Sequence, residues 1–227
     1  PMAETVLAML LHFGRGLDLA AAGQRRGEWS ADAYYLAGAP LTELSASTIG
    51  IVGFGGIGRE VARRVASLGA KVIAVKRTPV GEGEADLIPL AGSGTLRSRI
   101  EVVSGASGFD IVCRESDAIV LCAPDTPETR GMIDAKALAH MKRGCVLINV
   151  ARGRLVDEDA LLAALEGGRI RGAGLDVFSQ EPLSSDSPFW ARPDVVVTPH
   201  VSAVTRSFWV RECDLILRNV EHFQRGH

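Results

Sequence analysis

Cysteine is scarce and scattered. Cys113, Cys122, Cys145 and Cys213 form no C-x-x-C pair, which excludes a disulfide framework or a cysteine-based zinc site as the basis of the fold. Cys122 and Cys145 fall within apolar runs and read as small buried hydrophobes, so a reducing cytoplasm is the expected setting. No run approaches the roughly 18 consecutive apolar residues of a membrane span, and the start lacks the charged-then-apolar layout of a secretory signal. A soluble chain with no membrane partner is therefore expected. Neither sign of charge dominates: 25 Lys and Arg stand against 27 Asp and Glu, a formal net charge of -2. Without a long single-sign run, a nucleic-acid partner is not indicated either. Internal repeats are absent as well.

What is present is an apolar, globular composition. With 47% hydrophobic residues in 227, the chain can bury a substantial core, as one large domain or two small ones. Val6, Met9, Leu10 and Phe13 recur at helical spacing, and the abrupt entry from Pro1 into this pattern reads as a fragment of a longer chain. GQRRGEWSADAYYLAGAP follows as a polar, glycine-punctuated connection. The body then alternates apolar runs with helical stretches such as REVARRVASLG and DEDALLAALEGG. The runs are TIGIVG (48–53), KVIAV (71–75), DAIVLC (117–122), CVLINV (145–150), GAGLDVF (172–178) and DVVVT (194–198). Strands apolar on both faces and interleaved with helices predict an α/β fold, a doubly wound parallel sheet of the Rossmann-like kind. Residues 1–227 read as one domain, opening on a helix within 1–24 and closing on a helix within 205–227. The stretch from Thr78 to Asp110, rich in glycine and serine, reads as an irregular excursion.

Gly53, Gly55 and Gly58 satisfy G-x-G-x-x-G. That pattern alone is weak, but here it follows a predicted strand, opens a predicted helix, and is followed by a second strand at βαβ distance. The first glycine permits the tight turn, the second lets backbone approach a pyrophosphate, and the third lets helix and strand pack closely. The N–H groups and partial positive charge of the helix start then face the anion. The second strand runs into Lys76, Arg77 and Thr78, with no acid until Glu82. A carboxylate there would accept hydrogen bonds from ribose hydroxyls; two cations and a hydroxyl suit a 2′-phosphate instead. NADP is therefore expected over NAD, which remains the second candidate.

Three ionisable residues follow predicted strands: Arg152 after CVLINV, Glu181 after GAGLDVF and His200 after DVVVTP. Ligands of open α/β sheets bind at this edge. The three are the parts needed to reduce a carbonyl beside a carboxylate. Arginine binds the carboxylate bidentately, histidine donates a proton to the carbonyl oxygen, and glutamate holds the imidazole and raises its pKa. Each alone also has a bland reading, as a surface cation, a Glu-Pro turn and a structural histidine. Asp176 lies in an apolar strand, where a carboxylate needs a partner, either backbone or a nicotinamide amide.

Taken together, GFGGIGREVARR, CAPDTPETRGMI, LINVARGRLVDEDALLAAL, GAGLDVFSQEPL and TPH resemble the D-2-hydroxyacid dehydrogenase family, from about Ala3 to Asn219. The resemblance implies an NAD(P)-dependent oxidoreductase acting on a 2-keto or D-2-hydroxy acid, with Arg152, Glu181 and His200 as the catalytic set. It implies cofactor contacts at Gly56 and Ile57, at Ala123 beside Pro124, at Val150 and Ala151, at Asp176 on the carboxamide, and around His200 and Ala203. It also implies a homodimer formed through the first helix. Three departures stand out. The family usually carries an aspartate where this chain has Lys76, the 78–110 stretch is longer on the order of 10 to 15 residues, and most of the separate substrate domain has no counterpart. The expectation is a cofactor domain that binds dinucleotide but turns over poorly by itself. Glu181 argues against the related formate dehydrogenases, which pair the histidine with glutamine. The alternative is a dinucleotide-sensing binding module like the co-repressors that share this fold.

Overall fold

The computed structural model describes residues 1–29, 31–35, 41–79 and 99–226. Ala3, Val6, Met9, Leu10 and Phe13 form the buried face of α1 (Met2–Gly14). The chain breaks at Arg15–Gly16 into α2 (Leu17–Arg26), followed by the single turn α3 (Asp32–Tyr35). The helical reading of 1–24 thus resolves into two helices, separated where Gly16 takes a left-handed φ of 66°. The apolar face of α1 lies on the chain's own sheet. Phe13 and Met9 lie so close over Gly172 and Gly174 that a Cβ at either glycine would stand 2.6 Å from them.

The sheet is built from β1 (Thr48–Val52), β2 (Lys71–Lys76), β3 (Ile100–Ser104), β4 (Ala118–Leu121), β5 (Cys145–Asn149), β6 (Ile170–Leu175) and β7 (Val195–Val197). Helices α4 (Gly56–Ser67), α5 (Gly105–Glu115), α6 (Ala135–His140) and α7 (Glu158–Glu166) lie between them in sequence. Every pairing is parallel, in the order β3-β2-β1-β4-β5-β6-β7. The order reverses between β1 and β4, and the crevice above such a reversal is where open α/β sheets hold ligands. Strand residues alternate between two cores. Val72, Ala74, Val120 and Ile148 face α1 and α4, while Ile73, Val75, Ile119, Leu121 and Leu147 face α5, α6 and α7. This two-sided burial is why the strands read as unbroken apolar runs.

β3 and the start of α5 fall inside the stretch read as irregular. Glycines at 105 and 108 and serines at 104 and 107 break any helical or alternating period there. What makes a strand of Ile100–Ser104 is its neighbour: it pairs with β2 from Val72↔Ile100 to Lys76↔Ser104, a tertiary context that overrides weak local preference. Residues 80–98 of the excursion lie outside the described residues.

Cys145 is buried, Cys122 at the end of β4 is half-buried and packed against the core, and burial pushes both thiols up to about 12. The last helix, α8 (Phe208–Gln224), buries none of its residues, and Trp209, Ile216, Val220 and Phe223 are all exposed. Among the described residues, no single helix is long and apolar enough to cross a membrane.

Candidate active site

The turn between β1 and α4 divides its glycines between two tasks. Gly53 has φ 99°, and a Cβ there would stand 2.7 Å from the backbone of Cys122 and Ala123. At Gly58 a Cβ would stand 2.1 Å from the Gly53 carbonyl oxygen. These two serve the packing of strand, helix and the β4 end. Gly55 and Gly56 have nothing within 4 Å of the same position, and they and Ile57 are exposed. Helix α4 also starts without a side-chain cap, whereas Asp134 and Asp157 cap α6 and α7. Its first N–H groups are left for an external acceptor, above a surface with room for one. Residues 55–58 therefore fit a dinucleotide pyrophosphate.

Lys76 ends β2 half-buried, and Arg77 and Thr78 follow it exposed. Across the reversal point, Ala123 is buried against Gly53, and the Pro124 carbonyl accepts from the Thr129 hydroxyl at 2.7 Å. The loop that starts there brings Glu128 within electrostatic reach of Arg77. The Thr126 hydroxyl and its own backbone hold Glu128 below the usual carboxylate range, and the Arg77 charge adds to this.

Arg152 stands three residues beyond β5 on a turn shaped by Asn149, a residue that is 1% exposed. The Asn149 Oδ1 accepts from the Ala151 N–H at 3.0 Å, and its Nδ2 donates to the Arg152 carbonyl at 2.9 Å. Val150 and Ala151 are buried within this turn. Gly153 then presses on the backbone of Phe178 and Ser179, where any Cβ would overlap it at 1.8 Å. That contact sets the arginine turn directly against the segment carrying Glu181. The same segment is tied from the other side, where the Ser179 N–H donates to Glu158 at 2.6 Å.

His200 Nδ1 donates to Glu181 Oε2 at 2.7 Å, and Glu181 Oε1 accepts from the Phe178 N–H at 2.9 Å. Burial by itself raises the Glu181 pKa. The hydrogen bonds from His200 and Phe178, with the histidine's charge, outweigh both burial and the Asp176 charge, and hold the carboxyl below its usual range. His200 has φ 57°, unusual for a residue with a side chain. The turn that carries it is anchored on Asp176, which is 1% exposed. Asp176 Oδ1 accepts from the Thr198 hydroxyl at 2.6 Å and the Val201 N–H at 2.9 Å. Its Oδ2 accepts from the Ser202 N–H at 3.0 Å, and its carbonyl from the His200 N–H at 2.8 Å. Ser202 and the half-buried Ala203 close the turn, and the Ser202 carbonyl accepts from Thr5 of α1 at 3.2 Å.

One open cleft is lined by Arg152, Glu181 and His200 together with Asp125, Gly153, Arg154, Phe178 and Ser179. The structure thus brings together the three ionisable residues expected at the strand ends. For Asp176 it shows protein partners. Asn149 was not anticipated, although a polar residue inside the apolar run CVLINV was a signal, since a buried amide must find partners.

The sequence profile of the family described as "D-isomer specific 2-hydroxyacid dehydrogenase, NAD binding domain" matches residues 7–202. The chain is 41% identical over 203 residues to D-3-phosphoglycerate dehydrogenase of Mycobacterium bovis, covering 89% of this chain and 34% of that protein. It is 35% identical over 226 residues to glycerate dehydrogenase of Methylorubrum extorquens, covering 98% and 65%. The D-isomer specific 2-hydroxyacid dehydrogenase of Xanthobacter autotrophicus Py2, solved with NADPH and MES, superposes with a TM-score of 0.81 at 33% identity, covering 100% of this chain and 84% of that one. The D-lactate dehydrogenase of Lactobacillus jensenii, solved with NAD+, gives 0.79 at 28% identity, covering 100% and 66%. The chain therefore spans about a third of the first relative and just under two thirds of the second. With the profile running across most of its length and the strand-end residues sharing one cleft, this chain belongs to the D-isomer specific 2-hydroxyacid dehydrogenase family, as its NAD-binding domain.

Proposed function

We propose that the protein interconverts a 2-keto acid and a D-2-hydroxy acid, using a nicotinamide dinucleotide bound across the carboxyl edge of this sheet. The observation that carries the reading is the 2.7 Å bond between His200 Nδ1 and Glu181 Oε2 in the cleft that Arg152 also lines. The reduced nicotinamide, when bound, supplies hydride. The chain's own residues do the rest. With Nδ1 committed to Glu181, the imidazole presents Nε2 to the carbonyl oxygen and gives it a proton, and the carboxylate beside it stabilises the charged ring. Arg152 pairs with the substrate carboxylate through its planar fork. Gly55, Gly56, Ile57 and Gly58 receive the pyrophosphate, while Ala123, Pro124, Val150, Ala151 and Ala203 line the course of the dinucleotide. Asp176 has three side-chain bonds within the protein and, with roughly four acceptor sites on a carboxylate, capacity for the nicotinamide amide. The similar proteins named above are dehydrogenases, which does not favour the binding-module reading.

The finer proposal is a preference for NADP, supported by Lys76, Arg77 and Thr78 at the end of β2. A 2′-phosphate there meets two cations and a hydroxyl, with Glu128 as the opposing charge near Arg77. In a fluorescence titration NADPH is expected to bind at least about tenfold tighter than NADH, as one charge-assisted hydrogen bond allows. Equal or tighter NADH binding overturns the preference. Turnover is tested on the full-length protein with glyoxylate, hydroxypyruvate, pyruvate and bulkier keto acids. Cofactor binding without reduction of any of them overturns the enzymatic reading.

A further inference from the structure

The side chain of Asn149 does more than satisfy itself. Its amide grips two peptide groups that are not adjacent: the 150–151 peptide through the Ala151 N–H at 3.0 Å, and the 152–153 peptide through the Arg152 carbonyl at 2.9 Å. Between them lies the 151–152 peptide, whose carbonyl accepts from the Arg152 guanidinium at 2.6 Å. With both neighbouring peptides pinned, the middle carbonyl has one direction, and so has the guanidinium that rests on it. The grip is itself anchored, because the Asn149 carbonyl accepts from the Asp176 N–H at 3.0 Å in the sheet. Beyond the turn, Gly153 has no freedom to move toward Phe178 and Ser179.

An amide is the side chain this arrangement needs. It donates and accepts at once, without the cost of burying a charge. An isosteric carboxylate keeps the bond from the Ala151 N–H and loses the one to the Arg152 carbonyl. A leucine of similar size loses both and leaves a buried N–H without an acceptor.

We infer that Asn149 is a positioning residue for Arg152, setting the direction in which the guanidinium meets the substrate carboxylate. The inference rests on the reading of Arg152 as the carboxylate-binding group. In this role Asn149 touches neither substrate nor dinucleotide, so its loss separates acid binding from cofactor binding.

The test uses the full-length protein and the variants Asn149→Ala and Asn149→Asp. It measures oxalate affinity in the presence of reduced dinucleotide, KM and kcat with glyoxylate, dinucleotide affinity and Tm. Asn149→Ala is expected to weaken oxalate and raise the glyoxylate KM by about tenfold each, the effect of one misdirected charge-assisted bond. Dinucleotide affinity falls less, by about threefold at most, although Asn149 also holds Ala151 on the dinucleotide's course. Asn149→Asp, which keeps one bond but buries a charge beside the Arg152 carbonyl, also weakens oxalate and raises KM. If one variant does not fold, the other carries the test. Wild-type values for oxalate and KM in a folded variant overturn the inference, as does an equal loss of dinucleotide affinity, which marks general loosening. Those results leave the Arg152 reading standing. A wild-type protein that neither binds oxalate nor reduces glyoxylate sinks both.

Discussion

Two turns at the carboxyl edge each lift one residue of the proposed chemistry above the sheet, and they are organised at very different distances along the chain. The β5 turn is local: Asn149 reaches Ala151 and Arg152, two and three residues away. The β6 turn is not: the carboxylate of Asp176 gathers Thr198, Val201 and Ser202, which lie 22, 25 and 26 residues later. A neutral amide suffices for the local turn because the strand end already delivers both partners. Holding a distant segment in place, with His200 at a left-handed φ of 57°, takes a carboxylate accepting three hydrogen bonds. The arginine proposed to bind the acid should therefore depend on a few consecutive residues, and the histidine on correct assembly of β6 and β7.

The comparison is sharpest at the histidine. His200→Ala removes the imidazole and leaves the backbone hydrogen bonds of both turns in place. The expected outcome in steady-state kinetics is a fall in kcat of about 10³-fold, within the range for a lost general acid, with oxalate affinity within a few-fold of wild type. A fall smaller than about tenfold would remove His200 from the chemistry.

Asp176→Ala tests the assembly half of the comparison. It leaves a hydroxyl and two backbone N–H groups without their acceptor, the Ser202 N–H in a buried site and the other two in partly buried ones. At about 1–3 kcal/mol for an unsatisfied buried group, and with partial relaxation, a loss of about 3 kcal/mol in urea unfolding is expected. The kcat should fall while oxalate affinity holds, the opposite split from Asn149→Ala. Should Asp176→Ala damage both functions alike, the two turns are one mechanical unit and the distinction drawn here fails.

The same difference in range governs what could be read from the residues in order. Arg152, Glu181 and His200 were legible because each follows an apolar run, and six of the seven described strands announce themselves as apolar runs. The glycine turn was legible for a similar reason, because strand, turn and helix are contiguous, although the contact of Gly53 with Cys122 and Ala123 at the end of β4 is not local. Asp176 could be recognised as needing a partner, but nothing within a few residues identifies Thr198, Val201 or Ser202 as that partner. β3 was hidden because Ile100–Ser104 becomes a strand through β2, and the break after α1 because Gly16 is one glycine among 25.

The smallest expected effect concerns the bond that joins the histidine to its carboxylate. Glu181 titrates below its ordinary 4.5 in the folded chain: burial raises it, but hydrogen bonds from His200 and Phe178 prevail. A carboxyl whose folded pKa is depressed stabilises the fold fully above its unfolded pKa, and loses that contribution as pH falls through the folded value. The stability advantage of wild type over Glu181→Gln should therefore shrink as pH falls from about 5 to below 4.5, read as urea midpoints at each pH. The side chains are 36% and 50% exposed, so solvent screens the pair and the gap stays small at every pH. A gap that instead widens as pH falls below about 5 would mean that Glu181 enters the folded state protonated. The histidine would then be oriented by a neutral acid, and the β6 turn would carry a single negative charge, that of Asp176.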